Sequence, residues 1–177
     1  MRPGSVSLTG SRVLLRPLKA SDVGPAYLGW LRDPRVNRYL ESRFQRHTLA
    51  SLRAFVASAS RDPGTLLLAI VRKDSGRHIG NIKLGPIDRR HRRADIGILV
   101  GDRASWGKGF ATEAIEVLAS HALKTLGLHK VTAGIYDNNP GSIRAFRKAG
   151  FIVEARRRKH YLCGGRWRDG LLMARFR

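Results

Sequence analysis

Cysteine is nearly absent from this chain. Cys163 is the only one in 177 residues, so neither an internal disulfide framework nor a CxxC pair for zinc or redox chemistry is available. Long apolar runs are missing as well. The longest, Leu66 to Val71, falls far short of the roughly 20 residues needed for a bilayer-spanning helix. Residues 1 to 18 hold no apolar stretch of signal-peptide length before Arg12 and Arg16 interrupt, so a cytoplasmic protein off the membrane is expected. Acidic residues are scarce: 13 Asp plus Glu stand against 34 Lys plus Arg, a formal net charge of +21. A field of that sign attracts phosphate-bearing ligands, nucleic acid or acidic surfaces, and it disfavours polycations. No polar tract runs unbroken and 42% of residues are hydrophobic, which excludes disorder as the main state and provides a sizeable core. The length suits one domain, 1-177.

Periodicity then gives an alternation of strands and helices. Arg12 to Pro17 reads as a strand, and Ser21-Asp22 offers an N-cap before Val23, Tyr27, Leu28 and Leu31 at helical spacing. Asp33-Pro34 breaks that helix, a short piece from Val36 to Leu40 follows, and Thr48 caps a helix carrying Leu49, Leu52, Phe55, Val56 and Ala59. Leu66 to Val71 and Arg77 to Leu84 flank Lys73-Asp74-Ser75-Gly76 as a hairpin, and Asp95 to Val100 is the next strand. Ala111, Ala114, Ile115, Leu118, Ala122 and Leu126 share one helical face that ends at Gly127. A strand from His129 to Tyr136, a helix from Asn139 to Ala149, a strand from Phe151 to Ala155 and a last strand within Arg166 to Arg177 complete an α/β domain.

Two segments carry chemistry. Trp106-Gly107-Lys108-Gly109-Phe110-Ala111-Thr112 lies between a strand and a helix, where glycines let consecutive N–H groups converge and the helix start adds free donors and a positive dipole end. A pyrophosphate suits such a turn. Thr112 stands where a dinucleotide fingerprint needs its third glycine, and no Gly-Lys-Ser/Thr follows, so neither a Rossmann nor a Walker motif is present. The second segment, Asn138 to Phe151, has Asn at the N-cap, Pro at N1 and Gly after the helix.

Together, Trp106 to Ala114 and Asn139-Pro140-Gly141-Ser142 through Phe146-Arg147-Lys148-Ala149-Gly150-Phe151 closely resemble the acetyl-CoA-binding motifs of the GNAT superfamily of N-acetyltransferases. Leu15-Arg16-Pro17-Leu18 and Trp30 to Leu40 are similar to the branch holding ribosomal-protein alanine acetyltransferases and many small-molecule acetyltransferases. The resemblance implies a single GNAT-like α/β domain, with a mixed, mostly antiparallel twisted sheet of six to seven strands flanked by helices. It implies acetyl-CoA as co-substrate and no metal. Ile98, Leu99 and Val100 would lie along the pantetheine arm, and Gly107, Lys108, Gly109, Phe110, Ala111 and Thr112 would wrap the pyrophosphate. Asn139, Ser142 and Phe146 fall at cofactor-contacting positions, and Arg147 or Lys148 would reach a phosphate. Trp106 departs from the Gln or Arg frequent there.

Acetyl transfer needs a neutral amine. An alkylamine with pKa near ~10.4 is mostly protonated at neutral pH, whereas an α-amino group near ~7.7 to 8.0 needs less help. A positioned base contributes about 10²- to 10⁴-fold, and orientation and a backbone oxyanion donor carry the rest. Asp95 is the first candidate base, with an ion pair to Arg92 or Arg93 as its alternative role, and His91 is the second. Many family members carry Tyr where this chain has Phe146, so Ser142, or else Tyr136, is expected to assist the leaving thiol.

The resemblance assigns the acceptor side to Trp30, Tyr39, Glu41, Arg43, Phe44 and His47, against a core or surface role for each. Leu40 to Gln45 is similar to members associated with amino-sugar or sugar-nucleotide acetylation, and the net positive charge favours an anionic acceptor. A small anionic primary amine is therefore the expected acceptor, and a protein N-terminus the alternative, for a monomer or homodimer. The rival from another class is a nucleic-acid-binding module. Arg89-Arg90-His91-Arg92-Arg93 and Arg156-Arg157-Arg158-Lys159-His160 suit phosphate backbones, but no recognition-helix or RNP pattern accompanies them.

Overall fold

The computed structural model describes residues 6–177; residues 1–5 of the expected 1-177 domain lie outside the described residues. Its centre is one sheet of eight strands in the order β1-β2-β3-β4-β5-β6-β8-β7. The strands are β1 (Leu8–Thr9), β2 (Val13–Pro17), β3 (Leu66–Arg72), β4 (His78–Leu84), β5 (Arg93–Val100), β6 (Lys130–Tyr136), β7 (Ile152–Cys163) and β8 (Arg166–Phe176). The mixed, mostly antiparallel sheet is as expected, with one strand more than the upper count because the two-residue β1 adds to the edge of β2. Among the described residues only β5 and β6 run parallel. The helix between them makes this crossover possible, since parallel neighbours cannot be joined by a hairpin.

That helix, α4 (Phe110–Ser120), runs on through a π-helical turn at His121–Thr125. Its apolar stripe fixes it to the sheet: Ala114, Ile115, Leu118, Ala119 and Ala122 are fully buried beside Leu68, Ile70, Ile82 and Met173. Truncating Ile115 to Ala would cost about 2–5 kcal/mol. Helix α5 (Pro140–Lys148) packs with α4, beginning at Asn139, whose side chain accepts from the Ser142 N–H.

The opposite sheet face is covered by α1 (Pro25–Arg32), α2 (Pro34–Asn37) and α3 (Leu49–Arg61), with Tyr27, Leu31, Leu52 and Val56 packed against Ala69 and Val71. Thr48 caps α3 as its spacing predicted. Ser21-Asp22 does not cap α1. Both Asp22 carboxylate oxygens take hydrogen bonds from Arg16 at 2.8 Å, and the helix starts at Pro25 behind Gly24. The piece expected at Val36 to Leu40 is α2, which starts earlier because the Asp33 carboxylate caps the Arg35 N–H at 2.8 Å.

Candidate active site

The site begins where β5 and β6 part. Their parallel pairing is confined to Arg93–Lys130, Ala94–Val131 and Asp95–Thr132, after which the strands splay. The Asp95 carbonyl accepts from Gly85 of the β4 side, so strand alternation turns the peptide groups of Ile96 and Ile98 away from β4, toward the gap. A cleft of about 630 Å³ opens there, walled by Ile96 to Val100 on one side and Gly134 to Tyr136 on the other.

The glycine turn closes one end of the cleft. Gly107 and Gly109 hold φ of +73° and +84°, the left-handed region that L side chains enter at a cost of about 1–2 kcal/mol. Gly109 is also the N-cap of α4, and having no side chain it leaves the first helical N–H groups uncapped. Arg12 braces this turn from outside, donating to the Lys108 carbonyl at 3.0 Å and pairing with Glu113 at 3.2 Å. These converging donors match a diphosphate in charge and hydrogen-bonding sense.

Most residues expected at the cofactor line the cleft: Ile98, Leu99, Val100, Gly107, Gly109, Phe110, Ala111, Thr112, Asn139, Ser142 and Phe146. Lys108 and Arg147 do not. The Lys108 carbonyl turns to Arg12, and Arg147 falls off the helical face that carries Gly141, Arg144, Ala145 and Lys148 into the cleft. Arg144 and Lys148, one turn apart, are the cations of α5 that face it, joined by Arg35 from α2. Trp106 lines the cleft and donates through its indole to the Val100 carbonyl at 2.7 Å, fastening the turn to β5. Phe146 is almost fully buried, edge to face with Phe151 at 5.0 Å.

Asp95 is not in the cleft lining. It stands one step too early, where β5 still pairs with β6, and its carboxylate accepts from the Thr132 hydroxyl in a separate groove. His91 sits in the exposed connector, its N–H bound to Asp88 at 2.9 Å. Of the expected acceptor residues, only Tyr39 and Glu41 line the cleft. Trp30 is a packing residue: it lies 5.1 Å from the His78 ring and so close to Gly101 that any side chain there would collide with it. His47 bonds the Ser42 carbonyl at 2.8 Å, and Phe44 is exposed beneath the Arg43 guanidinium. Arg43 spends its donors inside the fold, on the Leu40 and Leu162 carbonyls and the Tyr136 hydroxyl.

Tyr136 is the hinge of this cluster. Its phenol donates to the Glu41 carboxylate, accepts from Arg43 at 2.7 Å, and stacks on Tyr161 at 4.0 Å. Partial burial first, then the bond to Glu41, outweigh the opposing pull of Arg43 and push the phenol up to about 12, so it stays protonated at neutral pH. Among the described residues lining the cleft, Glu41 is the only carboxylate.

Residues 12–152 match the model of a family described as an acetyltransferase (GNAT) domain. Over 99 residues the chain is 38% identical to the probable N-acetyltransferase YjcK of Bacillus subtilis, covering 55% of this chain and 54% of that one. Over 101 residues it is 30% identical to the spermidine N(1)-acetyltransferase of Escherichia coli K12, with shares of 57% and 54%. The chain therefore aligns with about half the length of each of these relatives. RimJ of Mycobacterium smegmatis, solved in complex with CoA-disulfide, superposes with a TM-score of 0.86 at 21% identity, over 98% of this chain and 88% of that one.

Proposed function

The chain belongs to the GNAT acetyltransferase family, and from that premise we propose that it is an N-acetyltransferase that uses acetyl-CoA to acetylate the primary amine of a small molecule. The observation that carries this reading is the parting of β5 from β6 over a cleft whose end is an uncapped, glycine-built helix start.

Bound acetyl-CoA supplies an activated acetyl group whose thioester carbonyl an amine attacks. The N–H groups at the start of α4 hold the diphosphate, and Arg144, Lys148 and Arg35 neutralise phosphate charge along the same cleft. The outward peptide groups of Ile96 and Ile98 bind the amide-bearing arm as an added strand would, which fixes the acetyl group in position.

At the acceptor end Glu41 has two tasks. Its carboxylate attracts the acceptor as an ammonium ion and takes the proton whose loss frees the nitrogen lone pair for attack; the second proton, shed by nitrogen as the N–C bond forms and the C–S bond breaks, ends on the departing thiolate. The protonated Tyr136 phenol spends its single O–H on orienting that carboxylate, and Ser142 on the cleft wall is the hydroxyl placed to donate a hydrogen bond to the departing thiolate. With pKa near ~8.5, a thiol leaves with modest assistance, so the buried Phe146 in place of a phenol does not impair the reaction.

This charge arrangement revises the anionic acceptor expected above. Arg43, the cation among the residues expected on the acceptor side, has its donors engaged within the fold, and Glu41 lines the cleft instead. A short amine of low charge fits best, since the net charge of +21 repels long polycations. A panel of amines with acetyl-CoA and thiol release as readout tests the reading: release with short amines is expected, and no release with any amine would overturn it.

A further inference from the structure

The two arginine-rich segments take no part in acetyl transfer, yet the fold brings them together. Arg93 at the start of β5, Lys130 from β6 and Arg157 from β7 line one groove of about 350 Å³ on the sheet face opposite α4. Arg89, Arg90 and Arg92 lie in the chain between the groove residues Asp88 and Arg93, and Arg158 and Lys159 follow the groove residue Arg157; all six cations of the two segments, Arg157 included, are exposed. None of these six has a carboxylate within ion-pairing distance among the described residues, whereas neighbouring Arg156 is neutralised by Asp137 and Asp169.

The backbone holds these cations outward at a cost. Among the described residues only Arg92 and Lys159 combine a side chain with positive φ, at +49° and +47°, one in each segment. Each such residue costs about 1–2 kcal/mol, and strain of this kind concentrates where function requires it. Around Lys159 the strand bulges: between the pairs Arg157–Gly170 and Tyr161–Arg168, residues 158–160 oppose Asp169 alone, whose carboxylate accepts the Lys159 N–H at 2.8 Å.

Acceptors lie among the cations. Asp95, bound by the Thr132 hydroxyl, and Asp88 line the same groove. Bare phosphates would be repelled by these carboxylates, but a chain that alternates phosphates with hydroxyl donors fits both. A lipid surface would call for apolar groups at the mouth, and the exposed Trp167 and Leu162 lie instead beside the turn that joins β7 to β8. An acidic protein lacks the regular repeat of one charge that two unneutralised rims suit.

We propose that this groove is a docking surface for single-stranded RNA, with the six free cations holding phosphates and Asp95 accepting a ribose 2′-hydroxyl, which DNA lacks. The surface is independent of the acetyl-transfer reading, because none of these residues lines the cleft.

The test is fluorescence anisotropy with labelled oligouridylate across a salt series. Six phosphate contacts on a single strand give a log–log slope of about −4, roughly a 300-fold loss of affinity between 50 and 200 mM salt. Replacing Arg89, Arg90 and Arg92 with Ala, or Arg157, Arg158 and Lys159 with Ala, should each flatten the slope by about 2. Replacing Arg53, Arg61 and Lys124, exposed on the helices, with Ala removes equal charge and should leave the slope in place. An equal loss in that control would overturn the proposal. So would equal affinity of the unmodified protein for oligodeoxyuridylate, or tighter binding to polyglutamate or phosphatidylglycerol vesicles. Asp95→Ala should erase the preference for RNA over DNA. Amine acetylation by both groove variants should match that of the unmodified protein, and its parallel loss would refute a separate surface.

Discussion

Replacing Glu41 with Gln isolates the one carboxylate among the described residues lining the cleft. The amide keeps the shape and still accepts the Tyr136 hydroxyl, so the fold around Arg43 and Tyr161 should be preserved while the negative charge and the proton acceptor are both lost. A positioned base contributes about 10²- to 10⁴-fold, or roughly 3–5 kcal/mol of barrier, and that range bounds the fall in kcat. The size of the fall depends on the amine. At pH 7.5 only about one alkylamine in a thousand is neutral when its pKa is near ~10.4, against roughly a quarter to two fifths of an α-amino group near ~7.7 to 8.0. The variant should therefore lose at least 100-fold with an alkylamine and distinctly less with an α-amino compound, with KM rising for both as the ammonium loses its counter-charge. A second readout follows from Tyr136. Glu41 is one of the causes that hold this phenol up near about 12, so neutralising it should lower the phenol's titration, seen as tyrosinate absorbance at lower pH. Steady-state kinetics on both amine types, with the spectroscopic titration alongside, decides the matter. An unchanged kcat with either amine would refute Glu41 as proton acceptor, and an unmoved phenol would refute the contact itself.

Gly109→Trp should abolish the heat of acetyl-CoA binding in calorimetry while the protein stays folded, because a Cβ there already approaches the Arg12 guanidinium at 3.0 Å and the ring must enter the turn. The left-handed penalty of about 1–2 kcal/mol should lower Tm by roughly 2–8 °C, and undiminished affinity would rule the turn out as the diphosphate site. Arg144→Ala and Lys148→Ala should each weaken CoA binding about tenfold with little change in kcat, whereas Arg147→Ala should do neither; equal effects at all three positions would contradict the helical-face assignment. Asp22→Asn should cost about 2 kcal/mol at neutral pH, or roughly 4–8 °C in Tm, by breaking its doubly bonded pair with Arg16. Burial alone would raise the Asp22 carboxyl, but the bonds from Arg16 and Lys19 outweigh it and hold its folded value below the ordinary carboxylate range. The pair's stabilisation is thus present above that range and lost as pH falls through it toward the folded value, and a difference in Tm that persists in strong acid would contradict this assignment.

The helices and strands were legible in the sequence where period and caps agreed. Thr48 and Asn139 mark the starts of α3 and α5 because each offers a side-chain acceptor three residues before a free N–H, a purely local relationship. Asp22 offers the same signal and does not cap, because Arg16, six residues away and across a turn, competes for its oxygens with charge-assisted bonds. The length of β7 was hidden for a related reason. The strand expected at Phe151 to Ala155 runs on to Cys163: an edge strand exposed on both faces has no apolar alternation to display, and its pairing with β8 comes from backbone bonds that sequence pattern does not encode.

The two halves of the candidate site differ in the same way. The cofactor half is built from contiguous backbone, a glycine turn and a capped helix, so residue order alone brings its members together and even the misassigned Arg147 is corrected by helical period: Gly141, Arg144, Ala145 and Lys148 fall on one face. The acceptor half is made by approach across the sheet, with Glu41 and Arg43 from the turn before α3 meeting Tyr136 some 95 and 93 residues away. The sequence names Glu41 only as a neighbour of the acceptor and puts Asp95, then His91, forward as the base. That choice depends on where two parallel strands stop pairing, and the last pair, Asp95 with Thr132, closes the sheet immediately before the gap. A carboxylate at a strand's first residues thus faces paired backbone, whereas Glu41, carried on a helical turn beyond the sheet, lines the cleft.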